Sequence, residues 1–460
     1  MLQIETFMPH RAYETWLVNP LNRFMNKSSS SGILLFFMAF LSLLIANSPL
    51  HDSFESFWNT KIYLSIGDFK ISNTILHWVD DGLMSIFFFV IGLELKREVM
   101  AGELAEPKDA LMAIVAAIGG MLLPAAIFFA FNQNASADAM NGWGIPMATD
   151  IAFALGVIYL LGDKVPTTLK IFLTALAIID DVGAVSIIAF FYTDSISTFS
   201  LLLGGFFFSV MLISNKLGIR STFYYSIIGI GGVWLAFLMS GVHATIAAVL
   251  AAFTIPATVK IDKQIYLDRI KNFGKRLERA ECSDHDCIVS KNEEMYLNQI
   301  NRATEEVISP LQRLEHSMHP LVAFVVMPIF ALANAGVRIE DNFLEMITGS
   351  VALGVGAGLL IGKVVGIVSF VYLFKFLGLY KIPKSLNFQM ILGVSFLAAI
   401  GFTMSLFITS LAFEDPAYAT QAKLGVLSAS ILAGVIGFVI LNKSIKEKRV
   451  RKKRTTPPSS

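Results

Sequence analysis

Apolar runs long enough to cross a bilayer recur along almost the whole chain. A membrane-spanning helix needs about 20 residues, because each residue advances the helix axis by about 1.5 Å. Twelve such runs can be recognised, and they predict an all-α membrane protein. Their approximate limits are 32–50, 73–95, 110–132, 144–162, 167–192, 198–215, 220–240, 241–258, 319–337, 345–374, 386–412 and 420–441.

The composition agrees with this prediction and excludes an ordinary soluble domain. Hydrophobic residues make up 55% of the 460 residues and charged residues only 15%, whereas soluble domains carry about 25% charged residues. Only two cysteines, Cys282 and Cys287, are present, so no disulfide framework of a secreted protein is indicated.

The positive charges are distributed unequally between the predicted loops. If both termini are cytoplasmic, all but five of the 36 lysines and arginines fall in cytoplasmic segments, as the positive-inside rule requires. Lys363 lies within a span, and the other four exceptions fall outside: Lys61, Lys70, Arg338 and Lys423. An odd number of spans would break the alternation, so twelve spans with both termini in the cytoplasm are predicted.

The spans divide the chain into five predicted regions: a cytoplasmic segment 1–31, spans one to eight in 32–258, a polar cytoplasmic loop 259–318, spans nine to twelve in 319–441 and a basic, disordered cytoplasmic tail 442–460. The stretch KIYLSIGDFKIS (61–72) alternates apolar and polar residues around Gly67-Asp68, which predicts a small outer β-hairpin. In the long loop, CSDHDC (282–287) suggests a metal site, but reduced thiols are the favoured interpretation.

A few ionisable residues lie within the predicted spans, where charge is costly. An Asp at the centre of a membrane helix costs roughly 2.5–3.5 kcal/mol, yet LTALAIIDDVGAVSIIAFFY carries Asp180 and Asp181 side by side. Such residues mark ion pathways by default, and a structural ion pair is the alternative. The other candidates are Asp150 in the preceding span, Lys363 in the tenth span, and Asp81, Glu94 and His243 nearer the span ends.

The adjacent acids have a chemistry suited to exchange. Neighbouring residues on a helix point about 100° apart, so Asp180 and Asp181 face different surroundings. Burial disfavours the charged form of a carboxylate and a nearby cation favours it, so such a group holds either a proton or a small cation. Carboxylate oxygens suit hard cations such as Na⁺ or Li⁺, and no His or Cys cluster beside the pair indicates a softer metal.

Two of the spans are interrupted. In GWGIPMATDIAFALG (142–156), Pro146 removes a backbone hydrogen bond, and Asp150 follows where a positive helix end favours an acid. In ILGVSFLAAIGFTMSLF (391–407), glycines interrupt an otherwise continuous run. These are the middle spans of 3–5 and 10–12. The pattern predicts inverted-topology repeats in which two discontinuous helices, spans 4 and 11, cross at the midplane.

The positive charge of Lys363, within the tenth predicted span, requires a partner that compensates it. A buried lysine is either neutralised by an acid or deprotonated. The sequence leaves two partners open: one carboxylate of the Asp180-Asp181 pair, or the negative ends of the broken helices.

At this point the residues resemble one family, the NhaA-type bacterial sodium/proton antiporters, which themselves exemplify inverted repeats. The matching stretches occur in family order and cover most of the chain from about 73 to 440. They are GLELKRE (92–98), ATDIAFALG (148–156), LAIIDDVGAV (176–185), SGVHAT (240–245), LEHSMHP (314–320), FALANAGV (330–337), GLLIGKVVGI (358–367) and GFTMSLFI (401–408).

The resemblance implies roles for five residues around the breaks. Asp180 and Asp181 would form the cation and proton site, with Asp181 a direct ligand and Asp180 either a ligand or the partner of Lys363. Thr149 and Asp150 would belong to the same cation-binding group. Asp150 and Lys363 would also balance the charges at the facing ends of the broken helices.

The resemblance also implies regulation and assembly. A cytoplasmic pH-sensing cluster would contain Glu94, Glu98, Glu315 and His319, and His243 would affect the pH response from the outer side. For the loop residues among them, a solvated position without function is the alternative. The outer hairpin would join two chains in a homodimer. The resemblance implies a bacterial inner-membrane protein in contact with lipids, without cofactor, resident metal or nucleic-acid partner.

The expected function is therefore a pH-regulated secondary transporter, not an enzyme, that expels Na⁺ or Li⁺ in exchange for H⁺. A sodium-coupled symporter of an organic solute is the alternative, but it would need further polar groups at the midplane. An intramembrane aspartyl protease would place its acids on separate helices with a Gly-x-Gly-Asp motif, which the chain lacks. Closely placed opposite charges suit an occluding carrier better than a passive channel.

Overall fold

Helices dominate the described part of the chain. The computed structural model describes residues 30–66, 69–102, 104–193, 197–278, 291–339, 343–383 and 385–455. In these ranges, seven helices are long and apolar enough to cross a membrane, and three bent helix pairs raise that number to as many as ten. The prediction of a multi-pass helical membrane protein is confirmed.

The elements of the first half follow one another with short connections. In chain order they are α1 (Ser30–Ala46), α2 (His51–Trp58), β1 (Lys61–Ile66), β2 (Phe69–Thr74), α3 (Ile75–Ala101), α4 (Pro107–Asn132), α5 (Ala137–Met147), α6 (Ile151–Leu160), α7 (Thr167–Phe191), α8 (Thr198–Lys216), α9 (Thr222–Leu238) and α10 (Ala244–Thr254).

The second half contains helices only in its described part. They are α11 (Lys263–Glu278), α12 (Lys291–Val307), α13 (Pro310–Asn334), α14 (Phe343–Ile347), α15 (Ser350–Phe376), α16 (Phe388–Ala398), α17 (Phe402–Ala412) and α18 (Pro416–Thr455). Proline is the first residue of α4, α13 and α18, where its missing N–H has no intrahelical partner to lose.

The predicted hairpin is present. Strands β1 and β2 pair antiparallel, from Lys61 opposite Thr74 to Ile66 opposite Phe69. The predicted turn residues Gly67 and Asp68 lie outside the described residues, as do Cys282 and Cys287 of the CSDHDC stretch.

The chain forms two compact units. Unit 1 comprises residues 1–87, 101–193 and 320–460, and unit 2 comprises residues 88–100 and 194–319. In unit 1, α4 packs along α15 where Gly119 faces Gly366, and a Cβ on either glycine would collide with the other helix. Glycine at this position lets the two helix backbones approach closely, as in other membrane bundles.

Unit 2 has an apolar core and a polar helical segment. Its core contains Leu93 from the end of α3 together with Met211, Val233 and Ala251 from α8, α9 and α10. The predicted loop 259–318 is largely helical, because it contains α11, α12 and the start of α13.

One charged contact ties the start of this polar segment to the end of α12. Glu306 accepts hydrogen bonds from Lys260 and, at 2.8 Å, from Arg269. The Lys260 ammonium and the Arg269 guanidinium hold the pKa of Glu306 below its ordinary value.

The prediction of a disordered tail is wrong for residues 442–455, which continue α18 to Thr455. The physical reason is that this stretch is rich in lysine and arginine, which favour helices. It also contains no glycine or proline before Pro457. Charge therefore marks the end of the apolar run without ending the helix.

Candidate ion-binding site

Two bent helix pairs meet within unit 1. Helices α5 and α6 are bent by 40° at residues 148–150, and α16 and α17 are bent by 42° at residues 399–401. The two interruptions touch, because the Asp150 N–H donates a hydrogen bond of 2.7 Å to the Ile400 carbonyl. Each interruption thus satisfies backbone groups that the other leaves unpaired.

Asp150 caps two helices at once. Its Oδ1 accepts a hydrogen bond of 2.9 Å from the Phe153 N–H in the first turn of α6. Its Oδ2 accepts hydrogen bonds from the N–H and the hydroxyl of Thr403, at 3.0 and 2.5 Å, in the first turn of α17. The side chain is fully buried, so this negative charge offsets the positive ends of two helices in a dry environment.

Lys363 lies at the opposite kind of helix end. Its side chain is fully buried, and its Nζ donates a hydrogen bond to the carbonyl of Met147, the last residue of α5. The same Nζ lies 2.9 Å from Asp180 Oδ2. Of the two partners that the sequence left open, Lys363 therefore contacts both, a carboxylate and a negative helix end.

Thr149 links the broken helices to the acid pair on α7. Its hydroxyl lies 2.7 Å from Asp180 Oδ2 and 2.8 Å from the carbonyl of Ala398, the last residue of α16. A hydroxyl has one proton and donates to one of these acceptors at a time. Its two lone pairs accept no hydrogen bond in these contacts, so one of them can point toward a bound cation.

One carboxylate oxygen of Asp180 is available to bind a ligand. Its Oδ2 contacts Lys363 and Thr149, whereas its buried Oδ1 has no hydrogen-bond partner among the described residues. Asp181 is the next residue of α7 and is also fully buried. The site thus presents carboxylate, hydroxyl and carbonyl oxygens, which are the ligands that hard cations prefer.

The predicted pH-sensing residues lie in unit 2. Arg97 joins two of them, with Nη2 2.9 Å from Glu98 Oε1 and Nε 2.9 Å from Glu315 Oε1. Glu94, one helical turn before Glu98, interacts electrostatically with Glu315, Arg97 and Glu98. His319 is exposed on α13, one turn after Glu315. Four of the five predicted residues thus lie close together.

His243 is separated from this group. It precedes α10, whereas Lys96, beside Arg97, donates hydrogen bonds to the carbonyls of Phe253 and Ile255 at the other end of that helix. Eleven helical residues span about 16 Å. The structure therefore places His243 at the far end of α10 from the acidic cluster.

Sequence reasoning missed three contributors to these sites. Thr403 follows the second interruption in GFTMS, Arg97 stands within GLELKRE, and the carbonyl of Ala398 becomes available only because its helix ends there. The first two lie in stretches that were already singled out. A backbone carbonyl that becomes a ligand cannot be recognised in a sequence, except through the residues that predict an interrupted helix.

Comparison with known proteins agrees with the resemblance. The curated relatives include the Na(+)/H(+) antiporter NhaA of Oleidesulfovibrio alaskensis, 46% identical over 92% of this chain and 94% of that protein. Na(+)/H(+) antiporter NhaA 1 of Saccharophagus degradans is 44% identical over 94% of this chain and 93% of that protein. The corresponding values for NhaA of Wolinella succinogenes are 43%, 91% and 92%.

The family resemblance inferred from the motifs is confirmed over most of the chain. Residues 22–441, which contain all twelve predicted spans and every predicted site residue, match the family described as Na+/H+ antiporter 1. The chain therefore belongs to the Na+/H+ antiporter 1 family.

Proposed function

We propose that this chain is a secondary transporter that exchanges cytoplasmic Na⁺, or Li⁺, for external H⁺ across the bacterial inner membrane. The observation that carries the proposal is the surroundings of Asp180. This buried acid lies where two interrupted helices touch, and its Oδ2 is 2.9 Å from Lys363 and 2.7 Å from Thr149. Its Oδ1 has no hydrogen-bond partner among the described residues and can bind a cation. The names of the curated relatives, which are Na(+)/H(+) antiporters, support Na⁺ and H⁺ as the exchanged ions.

The proposed architecture has twelve spans in two inverted repeats, with both termini cytoplasmic. Among the described residues, seven long helices, three bent pairs and the two shorter apolar helices α9 and α10 support this number of spans. The bent pairs α5–α6 and α16–α17 are proposed to be the discontinuous spans 4 and 11, which cross at the midplane. The polar loop 259–318, together with the segments 1–31 and 442–460, would then face the cytoplasm.

The proposed cation ligands are Asp181, Asp180 and Thr149. Asp181 binds the cation directly, and Asp180 alternates between the cation and Lys363. Asp150 acts by charge compensation, because both of its oxygens already accept hydrogen bonds from helix ends. Lys363 neutralises Asp180 and the end of α5 while Asp180 holds neither a cation nor a proton, so the buried carboxylate is compensated in that state.

The proposed exchange follows from competition between Na⁺ and protons for the carboxylate oxygens of Asp180 and Asp181. Na⁺ entering from the cytoplasm occupies the carboxylate oxygens, and the protons they held leave to the cytoplasm. The loaded site then opens to the outside, where protons from the external water bind the carboxylates and Na⁺ is released. The protonated site returns to the inside, so each turn moves protons inward and Na⁺ outward.

Regulation by pH is proposed to come from unit 2. Glu94, Glu98, Glu315 and His319 would sense cytoplasmic pH, with Arg97 holding two of the carboxylates together. His243 would act separately, from the outer side.

Assembly is proposed to use the outer hairpin. Strands β1 and β2 would pair with the hairpin of a second copy and form a homodimer, with membrane lipids surrounding the apolar surface. Exposed leucine, isoleucine and phenylalanine side chains on α1, α8 and α15 fit contact with lipid tails.

The proposed function is tested by exchange in inverted membrane vesicles. A pH-sensitive dye reports proton movement on addition of Na⁺, Li⁺ or K⁺ across a series of pH values. The wild-type chain should respond to Na⁺ and Li⁺, and Asp181→Asn should abolish the response while inserting normally. The matched control is Asp138→Asn, an exposed acid on α5, which should exchange as wild type. Proton movement independent of these ions would contradict the proposal.

A further inference from the structure

A further buried acid lies in unit 1, and the proposed exchange assigns it no role. Asp80 is only 8% exposed and lies in the π-helical turn Trp78–Leu83 near the start of α3. Single π-helical turns occur frequently at functional sites. Lys363 of the candidate ion-binding site also lies in such a turn, Gly358–Lys363.

The Asp80 carboxylate is held by one hydrogen bond. Asn334 Nδ2 donates to Oδ1 at 2.8 Å, and the Asn334 side chain is itself buried. Within the part of the chain that the structure describes, Asp80 Oδ2 receives no hydrogen bond. The side chain is therefore held in place while one oxygen remains available to a ligand.

Lys423 on α18 balances the charge of Asp80 from a distance. The two side chains interact electrostatically, but no contact within 4 Å joins this described pair. The other charged groups near Asp80 are Asp81 and His77, which contact each other at 3.0 Å. Neither α17 nor the final turns of α13, residues 327–334, carry a titratable side chain.

Asp80 is connected to the candidate ion-binding site through packed helices. Asn334 follows Phe330 by one turn of α13, and the Phe330 ring meets the Phe407 ring edge-on at 6.2 Å. Phe407 lies one turn after Thr403, which binds Asp150. Asp80 also follows the hairpin by six residues, and the proposed topology places the hairpin on the outer face.

We propose that Asp80, Asn334 and Lys423 form a second alkali-cation site, which Na⁺ or Li⁺ occupies between the candidate ion-binding site and the external water. The proposal rests on the proposed function for its direction. Asp80 Oδ2 and the Asn334 amide oxygen supply hard oxygen ligands. Lys423 competes with the cation for Asp80, as Lys363 competes for Asp180, and so promotes release.

The test compares the two sides of the membrane. Na⁺-dependent exchange is measured in right-side-out and in inverted vesicles that contain the full chain. Asp80→Asn should raise the external Na⁺ concentration for half-maximal exchange about tenfold and change the cytoplasmic value less than about twofold. Asp138→Asn, the exposed acid in a segment predicted to be on the same side, is the control and should change neither value.

A second variant gives an effect of opposite sign. Lys423→Gln should lower the external half-maximal concentration severalfold, because it removes the competing positive charge. Both variants could instead lower thermal stability without changing the external half-maximal Na⁺ concentration relative to the cytoplasmic one. In that case Asp80 and Lys423 have a structural role and the proposal is overturned. Should Asp80→Asn fail to insert, Asp80→Asn with Lys423→Gln keeps the net charge and should still raise the external value.

The outcomes separate this inference from the proposed function. A wild-type chain that shows no Na⁺-dependent exchange from either side contradicts the proposed function itself. A wild-type chain that exchanges from both sides, with Asp80→Asn equal to wild type in both preparations, contradicts only the second site.

Discussion

The carboxylate of Asp150 and the hydroxyl of Thr403 lie 2.5 Å apart, although 253 residues separate them in the sequence. Through this contact one buried acid binds the start of α17 while it also caps α6 through Phe153. The two interrupted helices are therefore joined by a charge that neither of them could bury alone.

Replacing Asp150 should weaken both helix ends. In Asp150→Asn one acceptor becomes an NH₂ group that faces an N–H donor, so a cap is lost. Losing a cap costs roughly 0.5–2 kcal/mol, and two caps share this side chain. We expect a lower thermal unfolding temperature for the purified chain, measured by differential scanning fluorimetry. Thr403→Ser keeps the hydroxyl and should stay close to wild type; a stable Asp150→Asn would contradict this account.

Removing Lys363 should destabilise the fold more strongly. Lys363→Met leaves Asp180 as a buried charge without its cation, which costs roughly 3–5 kcal/mol. Adding Asp180→Asn removes that charge and should restore most of the unfolding temperature, while exchange in vesicles stays absent. If the single and the double variant were equally unstable, the ion pair would not be the source of the effect.

Much of this arrangement could be predicted from the sequence, and the reasons are local. Asp180 and Asp181 stand out because the surrounding run is apolar, and Pro146 and Gly401 mark the two interruptions. The question that the sequence left open, the partner of Lys363, depends on tertiary contacts. Lys363 had two possible partners, and only the packing of α15 against α5 and α7 places it against both.

Asp80 shows the opposite case. In the sequence it stands near the end of a span, beside Asp81, and nothing distinguishes it from a solvated acid. Its partners Asn334 and Lys423 come from spans nine and twelve, so their proximity has no local signature. The helical tail was missed for another reason: clustered charge predicts exposure to water but says little about backbone conformation.

Thr149 should affect cation affinity more than stability. Thr149→Val keeps the shape but removes the hydroxyl that lies 2.7 Å from Asp180, so the site loses one oxygen ligand. We expect the half-maximal Na⁺ concentration to rise about tenfold, which corresponds to about 1.4 kcal/mol. Thr149→Ser retains the oxygen and is the matched control. Equal affinities for the two variants would exclude the hydroxyl as a ligand.

The contact of Glu306 with Lys260 and Arg269 should make the polar segment sensitive to acid. Because these cations lower the pKa of Glu306, its stabilising effect is present above the unfolded pKa near 4.5 and is lost as the pH falls through the lower, folded value. Glu306→Gln should therefore speed hydrogen exchange in α11 and α12 at pH 7. At pH 3, wild type and variant should exchange at more similar rates. The effect should be small, because the pair is partly exposed.

Arg97 should set the pH at which exchange begins. Its guanidinium contacts Glu98 and Glu315, each at 2.9 Å, and so joins two residues of the proposed pH-sensing cluster. In Arg97→Gln both ion pairs are lost and the cluster is no longer held together, so the midpoint of the activity profile should move. Exchange in vesicles, measured at saturating Na⁺ from pH 6 to pH 9, gives the profile. Arg302→Gln, an exposed arginine on α12, is the control and should leave the profile unchanged. A profile that keeps its midpoint while only its height falls would mean that Arg97 supports the fold and that the acidic cluster does not sense pH.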